Sequence, residues 1–120
     1  VNKKISVSNL FNNIPTYIAL DDATPHLIDT TTEAVDVATS VSHINTTAGA
    51  HAGTIANGTN GQIKVITMIV DGGDSVISPS GSNSSGWSNI TFADVGDTVT
   101  LIFTNSKWHI LASYGVSIAT

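Results

Sequence analysis

Hydrophobic and polar residues alternate along most of the chain after residue 15, in short runs separated by glycine, proline, asparagine and aspartate. The run "TVTLIFT" (98–104) is the clearest, because Val99, Leu101 and Phe103 share one side of an alternating strand. A second alternating run follows the connection "NSK" and places Trp108 and Ile110 opposite its polar positions. The pattern predicts a β-hairpin.

Further short strands are predicted at 16–20, 26–30, 33–44, 63–70, 76–78, 89–92 and 116–119. The run 33–44 alternates valines with small polar residues, which is typical of a half-buried strand. The run 63–70 is apolar almost without alternation from Ile66 onward, which predicts a central strand covered on both faces. Four glycines interrupt 45–62, so we expect a loop with no regular element there.

Strands of this length and spacing predict an all-β fold, a single antiparallel β-sandwich or jelly-roll-like domain over residues 16–120. Charged residues are only 11% of the chain and Glu33 is its one glutamate, a composition that disfavours long helices. Residues 1–15 end at Pro15 and form either an extended N-terminal arm or a first edge strand.

Charge and composition narrow the possible partners. The net charge of −5 provides no surface that neutralises phosphates, so we expect no nucleic acid partner. The longest apolar run, 63–70, is far shorter than the roughly 20 residues of a membrane helix, so we expect no membrane partner. The absence of cysteine excludes disulfides, thiolate metal sites and cysteine nucleophiles.

Candidate chemistry is sparse. The histidines are scattered and none has the spacing of a metal site, and no serine lies in a nucleophile elbow. Asp71 and Asp74 in "DGGD", with Asp94 and Asp97 in "DVGD", could offer oxygens to Ca²⁺, although such residues also build ordinary turns. We therefore expect no enzymatic activity, no catalytic, cofactor-binding or metal-binding residues and no cofactor, with a Ca²⁺ ion as the open alternative.

The segments "GTNGQIKVITM" and "ITFADVGDTVTLIFTNSKWHILA" together resemble a module of tailed-bacteriophage structural proteins, found in head-decorating proteins and at fibre ends. The resemblance covers roughly residues 57–118. The matching positions are Gly61, Gln62 and Lys64, then Ile90, Thr91 and Phe92, then Gly96, Asp97 and Val99, and finally Leu101, Phe103 and Trp108.

This resemblance implies a virion structural protein with a β-sandwich fold that forms a homotrimer. The chain has no heptads and no shaft-like repeat, which favours a decoration or cement protein on the capsid surface, with the major capsid protein as partner. The alternative is a receptor- or glycan-binding tip module of a tail fibre, which would use the loops 45–62 and 79–86.

Partner contacts are predicted at the arm and at the hairpin. The basic and apolar arm residues would contact the capsid protein or a sister subunit, while apolar residues on both hairpin faces leave one face for a subunit contact. A tryptophan in a hairpin is either a core or an interface anchor. The predicted contact residues are Lys3, Lys4, Leu10, Phe11, Ile102, Trp108 and Leu111.

Overall fold

The computed structural model describes residues 24–120, and this part of the chain is all β, with no helix. Its strands are β1 (His26–Ile28), β2 (Val41–Asn45), β3 (His51–Ile55), β4 (Ile63–Val70), β5 (Ser75–Pro79), β6 (Asn89–Phe92), β7 (Thr98–Thr104), β8 (Lys107–Tyr114) and β9 (Ser117–Ala119). The predicted strand 16–20 and the predicted arm, 1–15, lie outside the described residues.

The strands form two mixed sheets. The five-stranded sheet has the order β1-β2-β4-β7-β8, and the four-stranded sheet has the order β3-β5-β6-β9. The pairs β1–β2, β2–β4 and β3–β5 are parallel. The pairs β4–β7, β7–β8, β5–β6 and β6–β9 are antiparallel.

The parallel pairs belong to residues 26–79. We call this region the coil because its chain winds back and forth between the two sheets; the word does not mean irregular structure here. Here the chain changes sheet at every step, so successive strands of one sheet run in the same direction. Each winding of the chain through both sheets is one turn of the coil. The first turn consists of β1 and the segment 31–35, and Val35 of this segment forms a parallel β-bridge with Ile55 of β3. The second turn is β2 with β3, and the third is β4 with β5.

The antiparallel half comprises residues 89–119. β7 and β8 form its hairpin, joined by Asn105 and Ser106, whose φ angles of 52° and 60° both lie in the left-handed region. Two consecutive residues with positive φ are typical of a type I′ turn, which matches the twist of the strands it joins. The predicted hairpin is therefore confirmed, with Lys107 inside β8 and not in the connection.

One apolar cluster is shared by the two sheets. The five-stranded sheet contributes Ile28, Ile44, Ile66, Met68, Val99, Leu101, Phe103 and Trp108, and Val35, Ile55, Ile77, Trp87, Ile90 and Phe92 come from or beside the four-stranded sheet. Both sheets thus bury one face against a common core, which is the main source of stability expected for a domain of this size.

Buried polar side chains hold the coil connections. Gln62 Nε2 donates to the carbonyl of Val37 at 2.6 Å. Lys64 Nζ donates to both the carbonyl and the hydroxyl of Thr39 at 2.9 Å. Since irregular backbone must find partners for its carbonyls when it is covered, these side chains replace the bonds that a strand would make.

Three sequence expectations need correction. The sheets are not purely antiparallel, because the coil brings strands of one sheet together in the same direction. The predicted strand 33–44 is regular only from Val41, because the chain bends before it and Ala38 N donates to Asp36 Oδ1 at 2.7 Å. The predicted loop 45–62 contains β3.

Candidate interaction surface

The outward side of the five-stranded sheet, which we call the outer face, has no core against it within the described residues. Cross-strand pairs define its rows, since paired residues share a side of the sheet. Ile63, Ile102 and His109 form one row. Val41, Val65, Thr100 and Ala112 form the next, and Leu27, His43, Thr67, Thr98 and Tyr114 form the third.

No aspartate, glutamate, lysine or arginine lies in these three rows. The aliphatic, threonine, histidine and tyrosine side chains are half-buried by their neighbours or exposed, as expected for one layer of side chains on an open sheet. Five strands spaced about 4.8 Å apart, with a mean length of about 20 Å, give a face of roughly 500 Å². Six of its twelve positions carry aliphatic side chains, so the face is uncharged and partly apolar.

The outward side of the four-stranded sheet differs in composition. Its positions are Ala52, Thr54, Val76, Ser78, Asn89, Thr91, Ser117 and Ala119, of which only Val76 is a larger aliphatic residue. Small and polar side chains are typical of a solvated strand face. Of the two outward faces, the one on the five-stranded sheet is the better candidate for a protein contact.

The outer face continues to Tyr114 at the end of β8, and a bulge breaks the alternation in the middle of this strand. Leu101 pairs with Ile110 and Thr100 pairs with Ala112, so Leu111 is the extra residue on β8. Leu111 is 55% exposed and Tyr114 is 77% exposed. The bulge also turns Ala112 to the outer face, whereas uninterrupted alternation along β8 would place it on the same side as Trp108.

The structure separates the predicted contact residues. Ile102 lies in the outer face, half-buried, and Leu111 projects from the adjoining bulge. Trp108 is 0% exposed: its ring packs edge-on against Phe103, and its Nε1 donates to the carbonyl of Ala56 at 2.8 Å. Trp108 is thus a core anchor, out of reach of a partner.

The four predicted arm contacts, Lys3, Lys4, Leu10 and Phe11, lie outside the described residues, and their role stays a prediction. Sequence reasoning also missed most of the outer face, including Val41, Ile63, Val65 and Tyr114. The residues of β4 carried a signal that could have indicated the outer face. They alternate between buried and half-buried positions along most of the strand, yet the half-buried ones are mostly aliphatic, as though they too were covered.

Two histidines make contacts that resemble parts of catalytic sites. His26 Nε2 lies 3.1 Å from Glu33 Oε1, and His26 Nδ1 lies 3.1 Å from Ser42 Oγ. With the carboxylate accepting from Nε2–H, Nδ1 can accept the serine proton, the arrangement of a Ser-His-acid triad. However, Ser42 is 0% exposed, so its hydroxyl cannot reach a substrate in this conformation.

His51, on the four-stranded sheet in the next turn of the coil, makes contacts similar to those of His26. Its Nε2 donates to the carbonyl of Glu33 at 2.7 Å, and its Nδ1 lies 2.8 Å from Ser75 Oγ. Both His51 and Ser75 are buried. These contacts tie the segment 31–35 to β3 and β5, so the geometry of both histidines supports a structural role.

The carboxyl of Glu33, which contacts His26, has a pKa that its surroundings shift. Desolvation raises the pKa of this carboxyl, but hydrogen bonds from His26 and the Asp29 backbone amide, together with the His26 charge, outweigh it. The net result is a pKa below the ordinary glutamate value. The Glu33–His26 contact is a salt bridge only when His26 is protonated.

Two of the four aspartates considered for Ca²⁺, Asp71 and Asp97, accept hydrogen bonds from backbone amides. Asp97 Oδ2 accepts from Ala93 N at 2.8 Å and Asp94 N at 3.1 Å, and Asp71 Oδ1 accepts from Gly73 N at 3.0 Å. Gly115, with φ of 77°, lies so close to Asp97 that a Cβ there would overlap the carboxylate. Residues 24–120 contain no cluster of three or more histidines or acidic side chains placed to hold a metal.

In residues 24–120 there is no helix with the length and apolar character needed to cross a membrane. No protein-family model and no curated protein sequence matches this chain.

Proposed function

We propose that the chain is a virion structural protein of a tailed bacteriophage, a decoration protein that binds the capsid shell as a homotrimer. The observation that carries the proposal is the outer face, which is uncharged in a protein with a net charge of −5 and, unlike the equally uncharged outward side of the four-stranded sheet, carries several large aliphatic side chains. An uncharged face suits a contact with identical copies, because no like charges are brought together when two copies meet.

The size of the outer face also bears on the assembly. Roughly 500 Å² per subunit is less than the roughly 800 Å² per partner of a standard stable interface. A contact of this size gives modest affinity between two free copies. On a shell, copies held side by side gain from a high local concentration, which is the situation of a decoration protein.

For the fold, we propose that the two sheets pack face to face as a sandwich. The shared core, drawn from the inward side chains of both sheets, supports this arrangement. The jelly-roll part of the expectation is not supported by the topology, because a jelly roll is built from antiparallel pairs and the coil has parallel ones. The oligomer and the partner rest on the resemblance at residues 57–118 and on the outer face.

Native mass spectrometry of the purified chain, with a charge introduced on either sheet, tests the assembly. The unmodified chain should form trimers, and Ile102→Lys should leave monomers because each interface would bury an unpaired ammonium. Thr91→Lys, on the outward side of the four-stranded sheet, is the matched control and should still form trimers. An unmodified chain that stays monomeric even at roughly 1 mM, where contacts of modest affinity are populated, or a trimer that tolerates Ile102→Lys, would contradict the proposed interface.

Cosedimentation with capsids of the phage that encodes the chain tests whether the chain binds the capsid shell. The unmodified chain should pellet with the capsids. A truncation lacking residues 1–13 should stay folded by circular dichroism and remain in the supernatant, if the arm makes the shell contact. A truncated chain that decorates capsids at full occupancy would remove the arm from the proposal.

A further inference from the structure

A polar depression of about 260 Å³ lies apart from the outer face and plays no part in the proposed subunit contact. Its lining comes from three separate segments: Asn57 follows β3, Ser80, Ser82 and Asn83 follow β5, and Ser106 is in the hairpin turn. Every lining side chain is a hydroxyl or a carboxamide. The volume is just below the range of pockets for drug-sized ligands, so it suits a single small ring.

The floor of the depression is rigidly held by Asn83, which is only 4% exposed. Asn83 Nδ2 donates to the carbonyl of Ile55 at 3.0 Å and to Asn57 Oδ1 at 3.1 Å. Its backbone carbonyl accepts from Trp108 N at 2.7 Å. These bonds fix the segment after β5 to both β3 and β8, so the polar groups are arranged before any ligand arrives.

One acceptor of this floor is unused. Asn83 Oδ1 is buried and has no hydrogen-bond partner among the described residues. A buried polar atom without a partner destabilises the fold, so such atoms are rare in folded proteins and usually have a structural or functional reason. Both protons of the same amide are engaged, so what Asn83 still lacks is a hydrogen-bond donor.

We propose that this depression binds a neutral saccharide unit. Serine hydroxyls and carboxamides both donate and accept, as sugar hydroxyls do, and no charged side chain lines the depression to favour an ion. Asn83 lines the depression, and a sugar hydroxyl that reaches its buried Oδ1 supplies the missing donor. The segments involved, after β3 and after β5, belong to the loops 45–62 and 79–86, which the alternative of a receptor- or glycan-binding tip module would use. The proposal is independent of the capsid role.

The test is a titration of the full-length, isotope-labelled chain with methyl glycosides of glucose, galactose, mannose and N-acetylglucosamine, followed by amide chemical shifts. At least one glycoside should shift the amides of Asn57, Ser80–Asn83 and Ser106 in a saturable manner. Glycerol should not reproduce this at equal concentration. No saturable shift with any glycoside, or an equal response to glycerol, would overturn the proposal.

Variants locate the site without disturbing Asn83, which holds the fold. The double variant Ser80→Ala and Ser82→Ala should lower the affinity for the responding glycoside about tenfold, because two hydroxyl hydrogen bonds are lost. Ser88→Ala changes an exposed serine of the same connection that does not line the depression, and should bind normally. Equal affinities for the double variant and the unmodified chain would place any binding elsewhere.

Discussion

The coil and the antiparallel half bury side chains in the same core but are built in opposite ways. In the antiparallel half, β7 and β8 are neighbours both in sequence and in space, with a two-residue turn between them. In the coil, sheet neighbours are separated by a full turn of chain, so that Val41 pairs with Val65 and His51 with Ser75. Local pairs form with less loss of chain entropy than distant ones, so we expect the hairpin to form before the coil.

The interactions that hold the two regions also differ. The hairpin relies on apolar packing, with the rings of Phe103 and Trp108 in edge contact at 5.1 Å between centroids. The coil connections rely on buried side chains, such as Gln62 and His51, that donate to backbone carbonyls. Antiparallel pairing thus satisfies its own backbone, whereas a chain that changes sheet at each step needs polar side chains at the crossings.

The largest expected effect comes from removing the residue that joins the two regions. Trp108→Ala should lower the free energy of unfolding by about 3–5 kcal/mol, because it leaves a cavity in the core and frees the carbonyl of Ala56. Urea denaturation followed by circular dichroism measures the loss. Trp108→Phe, which keeps a ring beside Phe103, should lose less, and equal losses for the two variants would contradict the anchor role.

The coil should respond to a change that barely alters volume. His51→Leu should lower the free energy of unfolding by about 1–3 kcal/mol, because the buried carbonyl of Glu33 loses its donor. His109→Leu is the control in the antiparallel half, where the ring contacts Thr104 O at an exposed position. The His109→Leu variant should change the denaturation midpoint little. Equal effects of the two substitutions would contradict the idea that buried polar side chains hold the coil connections.

A smaller effect of opposite sign is expected at the hairpin turn. Ser106 has a φ of 60°, which glycine adopts at no steric penalty, so Ser106→Gly should raise the free energy of unfolding by about 0.5–1 kcal/mol. Thermal unfolding detects this as a higher melting temperature. Ser88→Gly, at an exposed residue without a positive φ, should not be stabilising. A lower melting temperature for Ser106→Gly would contradict the turn assignment.

The smallest effect is the pH dependence from Glu33 in the coil. A carboxyl whose folded pKa is lowered stabilises the fold above its ordinary pKa of about 4.3, and this contribution disappears as the pH falls through the folded value. Because the side chain is 30% exposed, solvent screening limits it to less than about 1 kcal/mol.

Urea denaturation of the unmodified chain and of Glu33→Gln at several pH values measures this contribution. The two proteins should differ near pH 6 and converge near pH 3, and a difference that grows on acidification would contradict the sign.

The antiparallel half could be predicted almost entirely from the sequence. The turn dipeptide and the alternation of Val99, Leu101 and Phe103 are local signals, and "NITF" coincides with β6. The bulge at Leu111 could not be predicted, because it is a property of the pairing and leaves no mark on the residues of β8.

The coil could be predicted only in part, and β3 shows why. Its sequence "HAGTI" has low β propensity, and the glycine is required by a tertiary contact: a Cβ on Gly53 would lie 2.3 Å from the carbonyl of Glu33. That carbonyl is distant in sequence, so no local pattern indicates the strand. For the same reason the sequence identified Ile102 but not Val41, which reaches the outer face through parallel pairing across a turn of the coil.

The coil also determines how such a chain can change length during evolution. One turn of the coil supplies a strand to each sheet, as β2 with β3 and β4 with β5 do. The corresponding strands of successive turns run in the same direction. Duplicating a whole turn would therefore widen both sheets together and leave the direction of every other strand unchanged. The antiparallel half has no such freedom, because adding one strand to its hairpin would reverse the direction of all that follows. Descendants of this protein could thus grow by gaining turns of the coil while the hairpin end stays constant.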